Sequence, residues 1–361
     1  MGRRRPPQLW LLLGLGLLSG CALDGPQSIF DTVGPVARHQ ESLFIFIFWL
    51  AVAVFAVVAG ALVYTIIRYR RRGDDDGSVP DQIHGVAWLE ATWTVAPAII
   101  LVIIGVPTVG LIFGQESRVT PTQDDLVVNV TGYQWWWAFE YPELGITTAN
   151  ELHIPTGRRV VLNLNSGDVL HSFWVPRIAG KRDLIPNQAN QLWIKADEAG
   201  LYRGQCAELC LGAHAYMRFR VIASDEAEFK NWTSLFKPDG AQMVQAQAQP
   251  ADPQIAAGQA LFKTKGCATC HAVQGYAYGE KAPNLTNFGI RTSLAAGVVD
   301  NTPENLTHWL RNPQALKPGN YMPTLWAADD PKRDEEIAAL VAYLESLGQN
   351  PELTASAQAG R

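Results

Sequence analysis

The chain has 361 residues, of which 48% are hydrophobic and only 17% are charged. This length allows two or three domains, and the small charged fraction is low for a wholly soluble protein. The formal net charge of −5 makes the chain a poor binder of nucleic acid, although it could attract a basic protein partner.

Residues 1–20 have the pattern of an export signal. Three arginines precede a short apolar run, and the run ends in LSGC, of which Cys21 is the last residue. This ending resembles a bacterial lipobox, so we expect a lipoprotein-type signal peptide and lipidation of Cys21. An ordinary signal peptide or an uncleaved anchor is the alternative. In either case residues 21–42 form an external segment.

Two long uncharged runs predict transmembrane helices over 43–67 and 91–113. A helix over the first run would be about 37 Å long, which is enough to cross a bilayer. Pro97 and Pro107 should kink the second helix, as neighbouring helices allow in a membrane. These lengths argue against a buried helix of a soluble core.

The segment between the two runs, residues 68–90, is predicted to be cytoplasmic. Arg68 and the arginines at 70–72 directly follow the first run, and short positively charged loops stay on the cytoplasmic side. The resulting hairpin has both ends outside the cell, in agreement with the export signal. Glu90 at the edge of the second run is either a solvated interfacial carboxylate or part of a proton path.

A β-rich domain is predicted over 120–235. Short β-branched and aromatic runs such as LVVNV and RRVVLNL alternate with glycine-containing turns, which is the pattern of a β-sandwich or barrel. Three consecutive tryptophans, at 135–137, follow the first run. They either pack in the domain or lie at the membrane interface.

One loop of this domain reads GQCAELCLGAHAYM and collects candidate metal ligands. They are Cys206, Cys210, His214 and Met217, with His171 on an upstream strand. Two histidines, a cysteine and a weak methionine indicate a cupredoxin-type copper site, and the second thiolate lets two copper ions share two sulfurs. A disulfide would leave the histidines and the methionine unexplained, and zinc has little use for methionine.

The stretches DVLHSFWVP, GLYRGQCAELCLGAHAYM and WLEATWTVAPAII resemble the subunit II family of cytochrome c oxidases over about residues 40–235. The resemblance implies a cupredoxin-like fold with a binuclear CuA centre. In that centre Cys206 and Cys210 bridge the coppers, His171 and His214 are terminal ligands, and Met217 and the Glu208 carbonyl bind weakly.

The same resemblance implies further roles. The Glu208 carboxylate would bind a magnesium ion that is shared with subunit I, since hard oxygen ligands suit magnesium. Glu90 would lie near the mouth of a proton channel into subunit I. Trp135 would be the residue at which electrons arrive from cytochrome c.

Residues 236–253 are polar, rich in Gln, Ala and Pro, and predict a linker. The following domain, 254–349, contains the run CATCH, which is typical of covalent c-type haem attachment. Cys267 and Cys270 would bond to the haem, and His271 would coordinate the iron. A zinc half-site or a redox-active cysteine pair is the alternative, but zinc needs two further ligands.

Met322 is the candidate second axial ligand of the haem, because Met/His ligation raises the haem potential. His308, or no second ligand, is the alternative. Apolar residues at helical spacing predict a last helix over 334–348. This domain resembles an all-α class I cytochrome c, and the tail, 350–361, is expected to be disordered.

Together the resemblances imply subunit II of a haem-copper oxidase with a fused cytochrome c. Such a subunit lies in the bacterial inner membrane, with both termini and both external domains on the outer face. It passes electrons from a soluble or membrane cytochrome c to subunit I, where O₂ is reduced and protons are translocated; subunit III is a further expected partner. The alternatives are an electron-accepting subunit of a nitric oxide or nitrous oxide reductase, and a copper-binding lipoprotein.

Overall fold

The computed structural model describes residues 25–70, 79, 82, 84–116, 119–236 and 250–348. The expected signal peptide, Cys21, residues 71–78, 80, 81 and 83 of the cytoplasmic segment, most of the linker and the tail therefore lie outside the described residues. The chain divides into two compact units, one formed by Arg38–Arg118 and the other by the remainder.

The first unit consists of two long apolar helices. They are α1, Pro35–Arg68, and α2, Ala87–Glu116. Both are long and apolar enough to cross a membrane by length and composition, and their apolar side chains are largely exposed. Pro97 and Pro107 lie inside α2, which continues through both of them.

The second unit begins with a β-sandwich of two five-stranded sheets, ordered β3-β2-β1-β5-β8 and β4-β10-β9-β6-β7. Its strands are β1 Leu126–Tyr133, β2 Trp136–Tyr141, β3 Ile146–Ala149, β4 Glu151–Pro155, β5 Val160–Ser166, β6 His171–Trp174, β7 Arg182–Leu184, β8 Asn190–Ile194, β9 Gly200–Cys206 and β10 Arg218–Ser224. A short helix, α3 (Glu226–Ser234), follows β10 and begins at the capping residue Asp225.

Aromatic side chains fill the space between the two sheets. Trp137 on β2, Phe173 on β6 and Phe219 on β10 are almost completely buried. The Phe173 and Phe219 rings stack with centroids 4.5 Å apart, and Trp137 meets Phe219 edge-on at 5.2 Å. Gly204 permits this packing, because a Cβ there would lie 2.2 Å from the Phe219 ring.

The second unit continues into a helical cytochrome-like domain. Its helices are α4 Pro253–Thr264, α5 Pro303–Arg311, α6 Pro313–Leu316 and α7 Arg333–Ser346. Asp252 caps α4 by accepting the Gln254 amide, with proline at the first helical position. Gly258 on α4 lies against the Ala339 carbonyl on α7, where an added Cβ would be 2.0 Å from the oxygen.

The predicted fold class is confirmed, since two apolar helices, a β-sandwich and a helical domain follow one another along the chain. The helical domain adds two minimal hairpins that the sequence did not suggest. They pair β11 (Ala272–Val273) with β12 (Ala277–Tyr278) and β13 (Ser293–Leu294) with β14 (Val299–Asp300).

Candidate copper and haem centres and the contact between them

The cysteine loop joins β9 to β10 and brings four candidate ligands together. The Sγ atoms of Cys206 and Cys210 are 3.9 Å apart, and the Met217 Sδ atom is 3.8 Å from Cys210 Sγ. The Nδ1 atom of His214 lies 3.4 Å from Cys210 Sγ. The loop turns back at Leu211, whose φ of 65° is in the left-handed region. The loop thus brings the sulfur and nitrogen atoms of four residues that are close in sequence into one compact cluster.

His171 reaches the same cluster from a neighbouring strand. Strand β6 pairs with β9 so that Phe173 faces Cys206, and the His171 Nδ1 atom lies 3.9 Å from Cys206 Sγ. The other ring nitrogen, Nε2, lies 2.7 Å from the Asp168 carboxylate. Because this carboxylate accepts the Nε2 proton, Nδ1 keeps its lone pair toward the sulfurs, as in many metal sites.

The electrostatics of the cluster favour a thiolate. The Cys210 thiol, acting as a hydrogen-bond donor, holds the pKa of the Cys206 thiol well below its usual range, although burial opposes the shift. Thiolate sulfur, thioether sulfur and imidazole nitrogen are donors that copper prefers over magnesium or calcium. The residues present therefore fit a copper centre.

The main-chain carbonyl and the side-chain carboxylate of Glu208 have different surroundings. The Cys206 Sγ atom lies 3.2 Å from the Glu208 main-chain carbonyl oxygen, so this carbonyl faces the cluster. Among the described residues the Glu208 carboxylate has no hydrogen-bond or ionic partner. The neighbouring side chains of Leu209 and Leu211 are 70% and 67% exposed. A free carboxylate is thus flanked by an apolar, exposed loop surface.

The haem-attachment residues line a single cavity of about 420 Å³. Cys267, Cys270, His271 and Met322 all contribute to its wall. The His271 Nδ1 atom lies 2.7 Å from the Pro283 carbonyl, which can only accept, so Nδ1 carries the proton and Nε2 keeps a lone pair. This tautomer is the one that can coordinate iron. His308, the alternative second ligand, is not among the described residues that line the cavity.

Arg291 is a buried cation on the cavity wall, and its surroundings indicate which kind of ligand the cavity fits. Its guanidinium is buried on the cavity wall, donates to the Asn284 carbonyl, and leaves Nε without a partner among the described residues. Burial lowers the pKa of Arg291 to about 10. Among the described residues no carboxylate is bonded to this buried cation, and haem carries carboxylates on an otherwise apolar ring. The cavity thus fits haem.

Trp135 connects the two centres. Its indole Nε1 donates to the Cys210 carbonyl at 2.9 Å, and its ring packs against Tyr321 of the cytochrome-like domain, with centroids 4.6 Å apart. Gly212 makes room for the indole, because a Cβ there would lie 2.1 Å from the ring. Trp135 also lines the haem cavity, so it lies against both the copper loop and the haem pocket.

A polar contact fastens the two domains at a second place. The Glu151 carboxylate on β4 is 1% exposed and accepts the Thr292 amide at 2.9 Å and the Ser293 hydroxyl at 2.6 Å. Beside it, Arg220 pairs with Asp300 at 2.5 Å. The cytochrome-like domain is therefore docked on the sandwich.

Glu90 belongs to the separate helical unit. It lies in the first turn of α2 and is exposed, and its main-chain carbonyl accepts from the Thr94 hydroxyl at 2.8 Å.

Three residues of the two centres escaped the sequence analysis. The spacing DVLH offered a signal for Asp168, because a carboxylate three residues before a ligand histidine can reach its ring. Arg291 and Lys317 lack such a signal, since their positions on the cavity wall depend on contacts distant in sequence.

Comparisons with known proteins agree with this architecture. The family profile described as the transmembrane domain of cytochrome c oxidase subunit II matches residues 24–111, and that of its periplasmic domain matches 144–224. The cytochrome c profile matches residues 255–348.

Individual relatives match most of the chain. Cytochrome c oxidase subunit 2 of Alkalihalophilus pseudofirmus is 38% identical over 335 residues, which is 91% of this chain and 93% of the relative. The same subunit of Bacillus subtilis is 37% identical over 360 residues, or 94% and 97%. A solved periplasmic domain of subunit II from Bradyrhizobium japonicum is 30% identical and covers 32% of this chain and 95% of its own, with a TM-score of 0.31.

Proposed function

Because the chain belongs to the cytochrome c oxidase subunit II family, we propose a specific route by which electrons cross it. The protein is an oxidoreductase subunit that partners subunit I in a haem-copper oxidase. When bound, haem c and the copper pair supply the redox centres that carry electrons from an external cytochrome c toward the haems of subunit I. Membership of this family does not favour the reductase and copper-lipoprotein alternatives.

The position of Trp135 carries this proposal. Its indole is hydrogen-bonded to Cys210 of the copper loop and packed on Tyr321 of the cytochrome-like domain. Only 5% of Trp135 is exposed, so a soluble donor cannot contact its ring in this arrangement. In our proposal the fused domain is the donor to Trp135, and external cytochrome c reduces the fused domain.

The proposed copper ligands are those that the loop and β6 assemble. Cys206 and Cys210 would hold the two ions together with His171 and His214, whose Nδ1 atoms face the sulfurs. Met217 and the Glu208 carbonyl are weaker ligands. Asp168 holds the His171 ring in the required tautomer.

The proposed haem ligands are those of the 420 Å³ cavity. Cys267 and Cys270 would attach the ring, and His271 and Met322 would coordinate the iron. Arg291 neutralises a haem carboxylate. Met/His ligation would raise the haem potential.

The Glu208 carboxylate is proposed to hold magnesium at the boundary with subunit I. Its lack of a partner among the described residues and the exposed Leu209 and Leu211 beside it support a surface that a partner covers. Glu90, exposed in the first turn of α2, is proposed to lie at the proton-channel mouth. Subunit III and an external cytochrome c are the further proposed partners.

The protein is a membrane protein with an external domain. We propose that both termini lie on the outer face of the bacterial inner membrane and that Cys21 is lipidated. The arginines that follow α1 support this orientation, because positive loops remain in the cytoplasm.

Removal of residues 254–349 from the oxidase tests the route. Turnover with the physiological donor should fall, because Trp135 loses its tethered donor. The full-length variant His271→Ala is the matched control, since it keeps the domain but removes an axial ligand; it should slow turnover as well. Unchanged turnover in both proteins would contradict the proposal.

A further inference from the structure

Lys317 is a buried cation at the contact between the two domains. Only 4% of the residue is exposed, and its Nζ atom donates to the Trp135 carbonyl at 2.5 Å and to the Ala295 carbonyl at 3.4 Å. Trp135 belongs to the sandwich and Ala295 to the cytochrome-like domain. The ammonium thus bonds to the main chains of both domains.

Burying this charge is unfavourable, so the ammonium must make contacts that a neutral side chain could not. Burial lowers the pKa of Lys317 to about 7. An apolar side chain of equal length could fill the same space without this desolvation. The ammonium adds only its charge-assisted hydrogen bonds, which are about twice as strong as neutral ones.

The main chain of Lys317 extends the connection to the proposed haem ligand. The Asn320 side-chain amide donates to the Lys317 carbonyl at 2.6 Å, and the Asn320 Oδ1 atom accepts the Met322 amide at 2.7 Å. Three hydrogen bonds therefore link the Trp135 main chain to that of Met322. Between these residues the backbone of Gly319 approaches the copper loop, where an added Cβ would lie 3.1 Å from Gly212.

We propose that Lys317 is a positioning residue for electron transfer between the two centres. Its ammonium fixes the Trp135 main chain against the loop that carries Tyr321 and Met322, and thereby holds the Trp135–Tyr321 ring contact in one geometry. This inference rests on the proposed function, since it presupposes that electrons pass from the cytochrome-like domain to the copper loop.

The test compares Lys317→Met with Lys332→Met in the complete oxidase. Lys332 is an exposed lysine of the same domain and does not line the haem cavity, so its replacement is the matched control. The measured quantity is the rate at which flash-reduced haem c passes its electron to copper. The rate should fall about tenfold in Lys317→Met, as expected for losing one hydrogen bond to a charged group, and should not change in Lys332→Met.

Three further measurements separate positioning from other roles. The absorption bands of methionine-ligated haem and of copper should persist in Lys317→Met, as should haem reduction by the external donor. Amide hydrogen exchange should increase on both sides of the contact, around residues 134–136 and 293–296.

An unchanged transfer rate in Lys317→Met would overturn the proposal. A shifted haem potential with unchanged amide hydrogen exchange would also overturn it, because the ammonium would then tune the haem potential and would not position Trp135. If the absorption band of methionine-ligated haem is lost in Lys317→Met, amide hydrogen exchange at residues 134–136 distinguishes the explanations. Unchanged protection of these amides would contradict a link between Lys317 and Trp135. A wild-type oxidase without electron transfer from haem c to copper would instead refute the proposed route.

Discussion

The Trp135 indole and the Tyr321 phenol pack against each other across the boundary between the β-sandwich and the cytochrome-like domain, with ring centroids 4.6 Å apart. The Tyr321 hydroxyl also donates to the Gln134 side chain at 3.2 Å. Although these residues are more than 180 positions apart in sequence, they lie side by side between the proposed haem and copper sites. This contact is the shortest aromatic connection between the two domains among the described residues.

The variant Tyr321→Ala should slow electron transfer from haem c to copper. An aromatic pair contributes about 0.5–1.5 kcal/mol beyond its burial, so its loss weakens the docked geometry. The measurement is the flash-induced transfer rate in the assembled oxidase. The control is Tyr278→Ala, which removes a tyrosine that is 81% exposed on the same domain. Equal rates in both variants would show that the ring contact is not used.

The variant Asp168→Asn should weaken copper binding by about 10- to 100-fold, the usual effect of losing a carboxylate that orients a ligand histidine. An asparagine can still donate to or accept from His171, but it no longer stabilises the required tautomer by charge. Competition with a copper chelator measures the affinity. Asp183→Asn, an exposed position on the neighbouring strand β7, should leave the affinity unchanged.

The variant Glu208→Gln should retain the thiolate–copper absorption and reduce magnesium binding. The main-chain carbonyl that faces Cys206 remains, while the side chain loses the charge that a divalent cation needs. Visible spectra and metal content of the purified oxidase report the two effects. Glu198→Gln, an exposed substitution in the same domain, is the control. Collapse of the copper band would show that the carboxylate supports copper instead.

The variant Glu151→Gln should loosen the docked domain. The carboxylate accepts hydrogen bonds from Thr292 and Ser293, and an amide nitrogen in its place would face donors. A buried donor without a partner costs about 1–3 kcal/mol. Faster amide exchange at 292–293 would report the loss, with Glu140→Gln as the control, because Glu140 is the exposed residue of β2. Unchanged exchange would mean that the domain is held elsewhere.

Acid should destabilise the β-sandwich through Asp125. Arg159 forms a bidentate pair with this carboxylate, at 2.8 and 2.6 Å, and holds the Asp125 pKa well below its usual range. A lowered pKa in the folded state stabilises the protein above the unfolded pKa of about 3.9, and this contribution disappears as the pH falls through the folded-state pKa.

The variant Asp125→Asn should therefore lower the free energy of unfolding at pH 7 by about 1–2 kcal/mol. The loss is no larger because Arg159 is partly solvated, and water screens its attraction to Asp125. The difference from wild type should shrink progressively below about pH 4. Urea unfolding of the full chain in detergent, followed at several pH values, measures both. Asp124→Asn is the control, and an equal loss in both variants would contradict the role of the pair.

Much of the copper site could be predicted because its donors are close in sequence. The spacing from Cys206 to Met217 already implied a soft metal, and His171 was a candidate from an upstream strand. The family resemblance added the role of each ligand. The haem motif is equally local. The resemblance and the fold class are confirmed, whereas the ligand assignments remain predictions.

The docking contact could not be predicted, since none of its members is unusual alone. Glu151 is separated from Ser293 by 142 residues, and Lys317 from Trp135 by 182. A buried carboxylate or lysine has no local periodicity that distinguishes it from an exposed one. Their partners become apparent only when the two folded domains meet.

The close approach of Gly319 to the loop at Gly212 has a consequence for the maturation of the protein. The cysteine thiols are already almost fully buried, and the docked domain covers the loop from the Gly319 side. A metallochaperone approaching from that side would meet a closed surface once docking is complete. Copper insertion should therefore precede docking during biogenesis, with domain closure as the final step that seals the loaded site.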